Sequence, residues 1–119
     1  MIRSHHFSAI LTTAETIAHL TAPELLDLLQ VAVQEAGLTS VARAAATFDP
    51  QGVSTVLILE ESHVALHVWT ESCKIAVDIH VCDYHQNNLP KAEKLAELLA
   101  LRITGTSDRS QWSYLSASG

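Results

Sequence analysis

The alternation of side chains in residues 62–69 and 74–82 constrains the fold more than any other feature. Successive side chains of a β-strand point to opposite faces of the sheet. Both segments therefore present one aliphatic face and one mixed face. The aliphatic faces consist of Val64, Leu66 and Val68, and of Ile75, Val77, Ile79 and Val81. The mixed faces consist of His63, Ala65, His67 and Trp69, and of Ala76, Asp78, His80 and Cys82.

Two amphipathic helices are available to cover the aliphatic face. Thr21-Ala22-Pro23-Glu24 has the form of a capping box, and apolar residues then follow at helical spacing as far as Gly37. This pattern predicts a helix over residues 22–36. Asn88 is a candidate N-cap for a second helix that runs to residue 101, with an apolar stripe of Ala92, Leu95, Leu98 and Leu99.

Further strands are predicted at residues 6–11, 38–48 and 53–59, and short turns separate the last strands. A chain of 119 residues can bury one core. We therefore predict an α+β two-layer sandwich, mainly an antiparallel sheet with two helices on one face. A single domain is expected over residues 1–104, and the Ser-rich segment 105–119 is expected to be a flexible polar tail.

Charge and composition exclude several classes of function. Seven scattered Lys and Arg residues stand against thirteen Asp and Glu residues, so no basic footprint for nucleic acid is present. No apolar run approaches the roughly 20 residues that span a bilayer, and no signal peptide is indicated, so we expect a cytoplasmic protein. Cys73 and Cys82 match no C-x-x-C pattern and are expected to be separate thiols.

No helix is left in the sequence to cover the mixed face. An exposed face with Trp69 and several alanines more often meets a partner than solvent. The simplest partner is a second copy of the chain, so we predict a homodimer that forms through this face.

Metal binding and serine hydrolase chemistry are the first alternatives that the mixed face suggests. His63 and His67 are four residues apart on a strand, roughly 13 Å, which is too far to share one ion. His67, His80 and Cys82 could still meet from adjacent strands, although we expect no metal. Ser62 lacks a G-x-S-x-G elbow, so a catalytic triad is weakly supported.

One group of motifs is more specific. Residues 48–54 read FDPQGVS, residues 61–63 read ESH, residues 67–71 read HVWTE, and Cys82 follows Ser62 by twenty positions. This combination resembles the prokaryotic-type S-adenosylmethionine decarboxylases, which make their own pyruvoyl cofactor. The resemblance extends over about residues 22–100 in element order, and its specific motifs lie between Phe48 and Cys82.

The resemblance implies that the chain cleaves itself between Glu61 and Ser62. Ser62 Oγ would attack the carbonyl of Glu61, the peptide would become an ester, and β-elimination would split the chain. Ser62 would remain as a pyruvoyl group, whose carbonyl condenses with the substrate amine and accepts the electrons of the leaving carboxylate. No external cofactor and no metal would then be needed.

The resemblance also assigns roles to other residues. Ser54 would stabilise the cyclic intermediate of the acyl shift, and His67 would remove the α-proton of Ser62. Cys82 would be the proton donor in decarboxylation. The implied product, decarboxylated S-adenosylmethionine, supplies aminopropyl groups for polyamine (spermidine) synthesis.

For the substrate, the resemblance places Phe48 and Trp69 near the adenine and Glu71 on the ribose hydroxyls. The chain departs from the family's usual H-T-W-P-E at Val68 and Thr70. Its Val81-Cys82-Asp83 also replaces the usual T-C-G. Two alternatives therefore stay open: a pyruvoyl-dependent arginine or ornithine decarboxylase of the same kind, and an unprocessed, non-catalytic homologue that acts as a binding partner.

Overall fold

A computed structural model describes all residues, 1–119, as a six-stranded antiparallel sheet with helices packed on one face. Its elements are, in order, β1 (Arg3–Thr12), α1 (Glu15–Ala18), α2 (Ala22–Glu35), β2 (Ser40–Thr47), β3 (Val53–Leu59), β4 (Ser62–Trp69), a 3₁₀ turn (Thr70–Ser72), β5 (Lys74–Cys82), α3 (Leu89–Thr104) and β6 (Ser113–Ser118). The strand order is β2-β3-β4-β5-β1-β6. The predicted α+β two-layer architecture is confirmed.

The aliphatic faces of the strands form the core with α2 and α3. The core residues of β4 and β5 include Val64, Leu66, Ile75 and Ile79, all essentially inaccessible to solvent. The opposite side of the sheet, which we call the open face, has no helix over it. Its exposed apolar side chains are Ile10, Ile58, Trp69 and Leu115. None of the helices is long and apolar enough to cross a membrane.

The predicted capping box opens α2. The Thr21 backbone N–H donates to Glu24 Oε1 at 2.9 Å, and the Glu24 backbone N–H donates to Thr21 Oγ1 at 3.3 Å. The Thr21 backbone N–H and the Thr21 hydroxyl both donate to the Glu24 carboxylate, and these two bonds lower the pKa of Glu24. Local sequence therefore fixes where the longer of the two early helices begins. The preceding segment, for which no regular structure is predicted, contains the one-turn helix α1.

The C-terminal segment differs from the expected flexible tail. Residues 113–118 form β6, which pairs antiparallel with β1 from Arg3↔Ser118 to Ser8↔Ser113. The Tyr114 ring packs on Phe7 with ring centroids 4.8 Å apart. The Tyr114 hydroxyl is also 2.7 Å from His5 Nδ1, within hydrogen-bond distance. The edge of β1 supplies backbone partners, so a Ser-rich segment with no buried residues of its own still forms a strand.

Candidate functional site

Ser62 is the first residue of β4, directly after the turn that joins β3 to β4. Its side chain lies on the helix side of the sheet, and only 8% of the residue is exposed. Ser62 Oγ accepts a hydrogen bond from the backbone N–H of Cys82 at 3.0 Å. A small cavity, bordered by Thr39, Asn88 and Lys91, opens beside it. The structure thus brings Ser62 and the Cys82 backbone into direct contact across two neighbouring strands.

Glu61 has a backbone conformation that is unfavourable for its residue type. Its φ is 53°, in the left-handed region that glycine adopts freely and other residues avoid. A residue with a Cβ atom loses about 1–2 kcal/mol in this conformation. The strain lies immediately before the peptide bond between Glu61 and Ser62.

Cys82 ends β5 with its side chain on the open face. The Cys82 carbonyl accepts a hydrogen bond from Asn88 Nδ2 at 2.9 Å. Burial, followed by the carboxylates of Glu61 and Asp83, raises the pKa of the Cys82 thiol. Since an ordinary cysteine titrates near 8.5, this thiol keeps its proton at neutral pH. A protonated thiol at this place is a suitable proton donor.

Three histidines form a row beside Cys82 on the open face. His6, His80 and His63 are register partners across β1, β5 and β4. The ring centroids of His6 and His80 are 4.1 Å apart, and those of His80 and His63 are 5.0 Å apart. His80 Nε2 is 3.3 Å from Cys82 Sγ.

The surroundings of His80 keep its imidazole neutral. Burial has the largest effect, and repulsion from His6 and His63 adds to it, so the pKa of His80 is lowered although Asp78 opposes the change. Sequence alternation predicted that His80 and His63 share a face. The contact among all three rings required the strand register, which places β1 next to β5.

Ser54 and His67 form a second polar pair on the same face. They are partners across β3 and β4, and a 2.7 Å hydrogen bond joins Ser54 Oγ and His67 Nδ1. His67 lies five residues from Ser62 along β4, roughly 16 Å at about 3.3 Å per residue. The alternation also puts the two side chains on opposite faces. Within one chain, therefore, the structure does not bring His67 to the Glu61–Ser62 bond.

The three residues expected to bind substrate lie at the His67 end of the sheet. Phe48 is half-exposed in the turn between β2 and β3 and borders a cavity of about 400 Å³. Trp69 lies on the open face at the end of β4, 45% exposed. Glu71 is exposed in the 3₁₀ turn that follows. The expected site residues thus form two groups at opposite ends of the sheet.

A buried polar network holds the chain just after Cys82. His5, 3% exposed, lies 2.9 Å through Nε2 from Asp83 Oδ1. The Asn88 backbone N–H donates to the same carboxylate oxygen at 2.9 Å. The bond from Asn88 lowers the pKa of Asp83, with His5 adding to it and burial opposing it. The roles of His5 and Asp83 were not predicted from the sequence. Asn88 was predicted to cap α3, but its side chain makes no capping hydrogen bond and instead donates to the Cys82 carbonyl.

No set of three or more His, Cys, Asp or Glu side chains has an arrangement that could hold a metal ion. The residues do fit a cofactor made from the chain itself. A serine hydroxyl follows a strained glutamate, and a protonated thiol lies on the next strand. A hydroxyl next to a strained peptide bond and a thiol that can donate a proton are thus present at the same end of the sheet.

Comparison with known proteins first identifies the structural class. The solved adenosylmethionine decarboxylase from Aquifex aeolicus superposes with a TM-score of 0.76 over 96% of this chain and 88% of its own, at 21% identity. The fold is therefore the two-layer α+β fold of that enzyme.

The sequence comparisons then identify the family. A model of the S-adenosylmethionine decarboxylase family matches residues 8–108. S-adenosylmethionine decarboxylase proenzymes from Persephonella marina and Methanococcus maripaludis are 32% and 35% identical over 76 and 75 residues, 64% and 60% of this chain. The matched segments make up 57% and 62% of those relatives' length. The chain belongs to the S-adenosylmethionine decarboxylase family.

Proposed function

We propose that this protein is a self-processing, pyruvoyl-dependent decarboxylase that converts S-adenosylmethionine to decarboxylated S-adenosylmethionine for polyamine synthesis in the cytoplasm. The observation that carries the proposal is the junction of Glu61 and Ser62. The backbone of Glu61 is in the left-handed conformation, and the next residue, Ser62, accepts a hydrogen bond through Oγ from the backbone N–H of Cys82. Family membership and the fold support the same reading.

Cleavage would proceed by an N→O acyl shift. Ser62 Oγ attacks the Glu61 carbonyl, the C–N bond breaks, and the acyl group becomes an ester on Ser62. Removal of the Ser62 α-proton then expels the Glu61 carboxylate and leaves a dehydroalanine at position 62. This tautomerises to an imine, and water hydrolyses the C=N bond to give the pyruvoyl group and ammonia. The strain at Glu61 favours this sequence, because breaking the chain frees its backbone.

The Ser54–His67 pair would act on this bond from a second copy of the chain. The pair lies roughly 16 Å from Ser62 along β4, too far for direct proton transfer, which needs about 3 Å. A two-fold axis that runs between two stacked open faces and across the strands would place one end of the sheet over the opposite end of its partner. His67 of one protomer would then lie over the end of the partner's sheet that carries Cys82 and the backbone of the Glu61–Ser62 bond.

The open face is suited to this packing. It carries the exposed apolar side chains Ile10, Ile58, Trp69 and Leu115. Sheets that pack face to face lie about 10 Å apart, a gap that side chains of this size fill from both sides. We therefore propose a homodimer in which each protomer is cleaved into two chains.

In the decarboxylation step, a pyruvoyl group at residue 62 would supply the electron sink for the carboxylate that leaves as CO₂. Cys82 would return a proton to the substrate α-carbon, a role that its raised pKa supports. Phe48 and Trp69 would pack against the adenine, and Glu71 would bind the ribose hydroxyls. Aromatic side chains also attract a sulfonium cation, by about 0.5–2 kcal/mol.

Carbon dioxide release from carboxyl-labelled substrates tests the activity and its specificity. Purified protein should release CO₂ from S-adenosylmethionine and not from arginine or ornithine. The Ser62→Ala variant should be inactive, and Ser107→Ala, a change of the same kind at an exposed serine between α3 and β6, should keep wild-type turnover. Release from arginine or ornithine instead would contradict the proposed substrate, and release from none of the three would contradict the enzyme.

Sedimentation tests the shared site. We expect a dimer at micromolar concentration, and a charge placed on the open face by Ala65→Glu should produce monomers that cleave poorly. Efficient cleavage by a monomer would contradict the proposal that His67 acts across the interface.

A further inference from the structure

We propose that His80 resupplies the proton that Cys82 gives up in each turnover. The inference rests on the proposed function, because that function makes Cys82 the proton donor. His80 does not touch the substrate in this scheme. It is a positioning residue that acts through the sulfur of Cys82.

The geometry places one imidazole nitrogen against the thiol. His80 and Cys82 are two residues apart on β5, so their side chains lie on the same face of the sheet. The distance from His80 Nε2 to Cys82 Sγ is 3.3 Å, within hydrogen-bond range for sulfur. Both residues are half-buried, so each can still reach the space above the open face.

Cys82 needs a proton source after each reaction cycle. Once its proton has moved to the substrate α-carbon, a thiolate remains among the carboxylates of Glu61 and Asp83, which disfavour it. His80 can transfer the proton on Nε2 to the sulfur while Nδ1 takes a proton from solvent. Proton exchange with solvent then returns the ring to its Nε2–H tautomer before the next turnover. The imidazole is neutral before and after this transfer, and no oxidant or reductant is required.

The groups around His80 favour this neutral form. His6 faces it from β1 and His63 from β4, and both oppose a positive charge on its ring. Asp78, on its own strand, favours the charge but is outweighed by burial and the two histidines. The resting pair is thus a neutral thiol and a neutral imidazole, so the thiol remains available as an acid.

The first test measures the contact without any catalysis. In a Ser62→Ala, Cys73→Ser background, Cys82 is the only cysteine and the chain stays intact. We expect His80→Phe to slow the alkylation of Cys82 by iodoacetamide several-fold at pH 8 and to move the pH profile upward, because the thiolate loses its hydrogen-bond donor. His85→Phe, which changes an exposed histidine in the loop after β5, is the matched control.

The second test measures turnover in the processed protein. We expect His80→Phe to lower kcat by about 10- to 100-fold with KM unchanged. This decrease is smaller than the one expected when a direct general acid is removed, because water can still return the proton to Cys82 slowly. His80→Gln keeps a hydrogen-bond donor but has no titrating ring, so it should also lower kcat. Free imidazole should restore part of the activity of His80→Gly, which a structural role would not permit.

The outcomes separate this inference from the proposed function. One outcome is that wild-type protein cleaves and turns over, while the His80 variants match His85→Phe in alkylation rate and in kcat. This outcome would overturn the role of His80 and leave the proposed function in place. A wild-type chain that neither cleaves nor releases CO₂ would overturn the proposed function and, with it, the role of His80 in turnover.

Discussion

Replacing Glu61 by Gly and by Ala isolates the strain at the scissile bond. The Glu61 φ of 53° disfavours any residue with a Cβ atom by about 1–2 kcal/mol, whereas glycine adopts it freely. Both substitutions remove the carboxylate that acts on Cys82. They therefore differ in backbone strain and not in local charge, and each is the matched control of the other.

In a Ser62→Ala background, which cannot cleave, strain is measured as stability. Glycine gains about 1–2 kcal/mol by the relief of strain and loses about 0.4–1 kcal/mol because its unfolded chain is freer. We expect the Glu61→Gly protein to be more stable than Glu61→Ala by about 0.5–1 kcal/mol. Urea denaturation followed by circular dichroism measures this difference as a shift of the midpoint at constant slope.

With Ser62 intact, the same strain should appear in the cleavage rate. Strain of about 1–2 kcal/mol is present in the alanine precursor and absent from the glycine precursor. If the transition state releases all of this strain, the alanine precursor should cleave about 5- to 30-fold faster than the glycine precursor. A time course of freshly refolded precursor on denaturing gels measures both rates. Equal stabilities would refute the strain itself, and equal rates with unequal stabilities would show that cleavage does not use it.

Three further predictions follow from the buried network and the thiol. Tyr114→Phe leaves His5 Nδ1 without its partner and should destabilise the chain by about 1 kcal/mol in thermal unfolding. Tyr84→Phe, the control, removes a phenol hydroxyl from an exposed residue and should have almost no effect on stability. Equal stabilities of the two variants would show that β6 is loosely held. The pKa of Asp83 is lower in the folded protein than its ordinary value near 3.9, so the ionised carboxylate stabilises the fold above that pH. This stability is lost as the pH falls through the pKa of Asp83 in the folded protein. Denaturation midpoints between about pH 4 and 2 should therefore fall more steeply for wild type than for Asp83→Asn. Parallel curves would contradict this. Cys82→Ala should lower CO₂ release by about 100-fold or more in the fraction that still cleaves, since alanine has no proton to donate, and unchanged release would remove Cys82 as the donor.

The sequence predicted the layers of this fold because its strands alternate strictly. Val64, Leu66 and the β5 aliphatics can lie on one face only if the segments are extended, and the capping box at Thr21 marks the start of α2. The same reading missed β6. A Ser-rich segment has no apolar face of its own, and Tyr114 gains its partners only after β1 is in place beside it.

The candidate site was predictable as a set of residues and not as an arrangement. Side-chain type and motif spacing pointed to Ser62, His67 and Cys82, but the strand period separates His67 from Ser62 within one chain. The contact of His80 with His6 and that of His5 with Asp83 depend on β1 lying next to β5, a pairing between segments about seventy residues apart that no local pattern encodes.

Mass spectrometry of the denatured protein decides whether the chain cleaves itself. We expect two chains, residues 1–61 and 62–119, and the second should be lighter than the corresponding serine-terminated peptide by the mass of one ammonia. The Ser62→Ala protein, prepared in parallel, should give one chain. A single intact wild-type chain, with the hydroxyl of Ser62 retained, would contradict self-cleavage and the activity that depends on it.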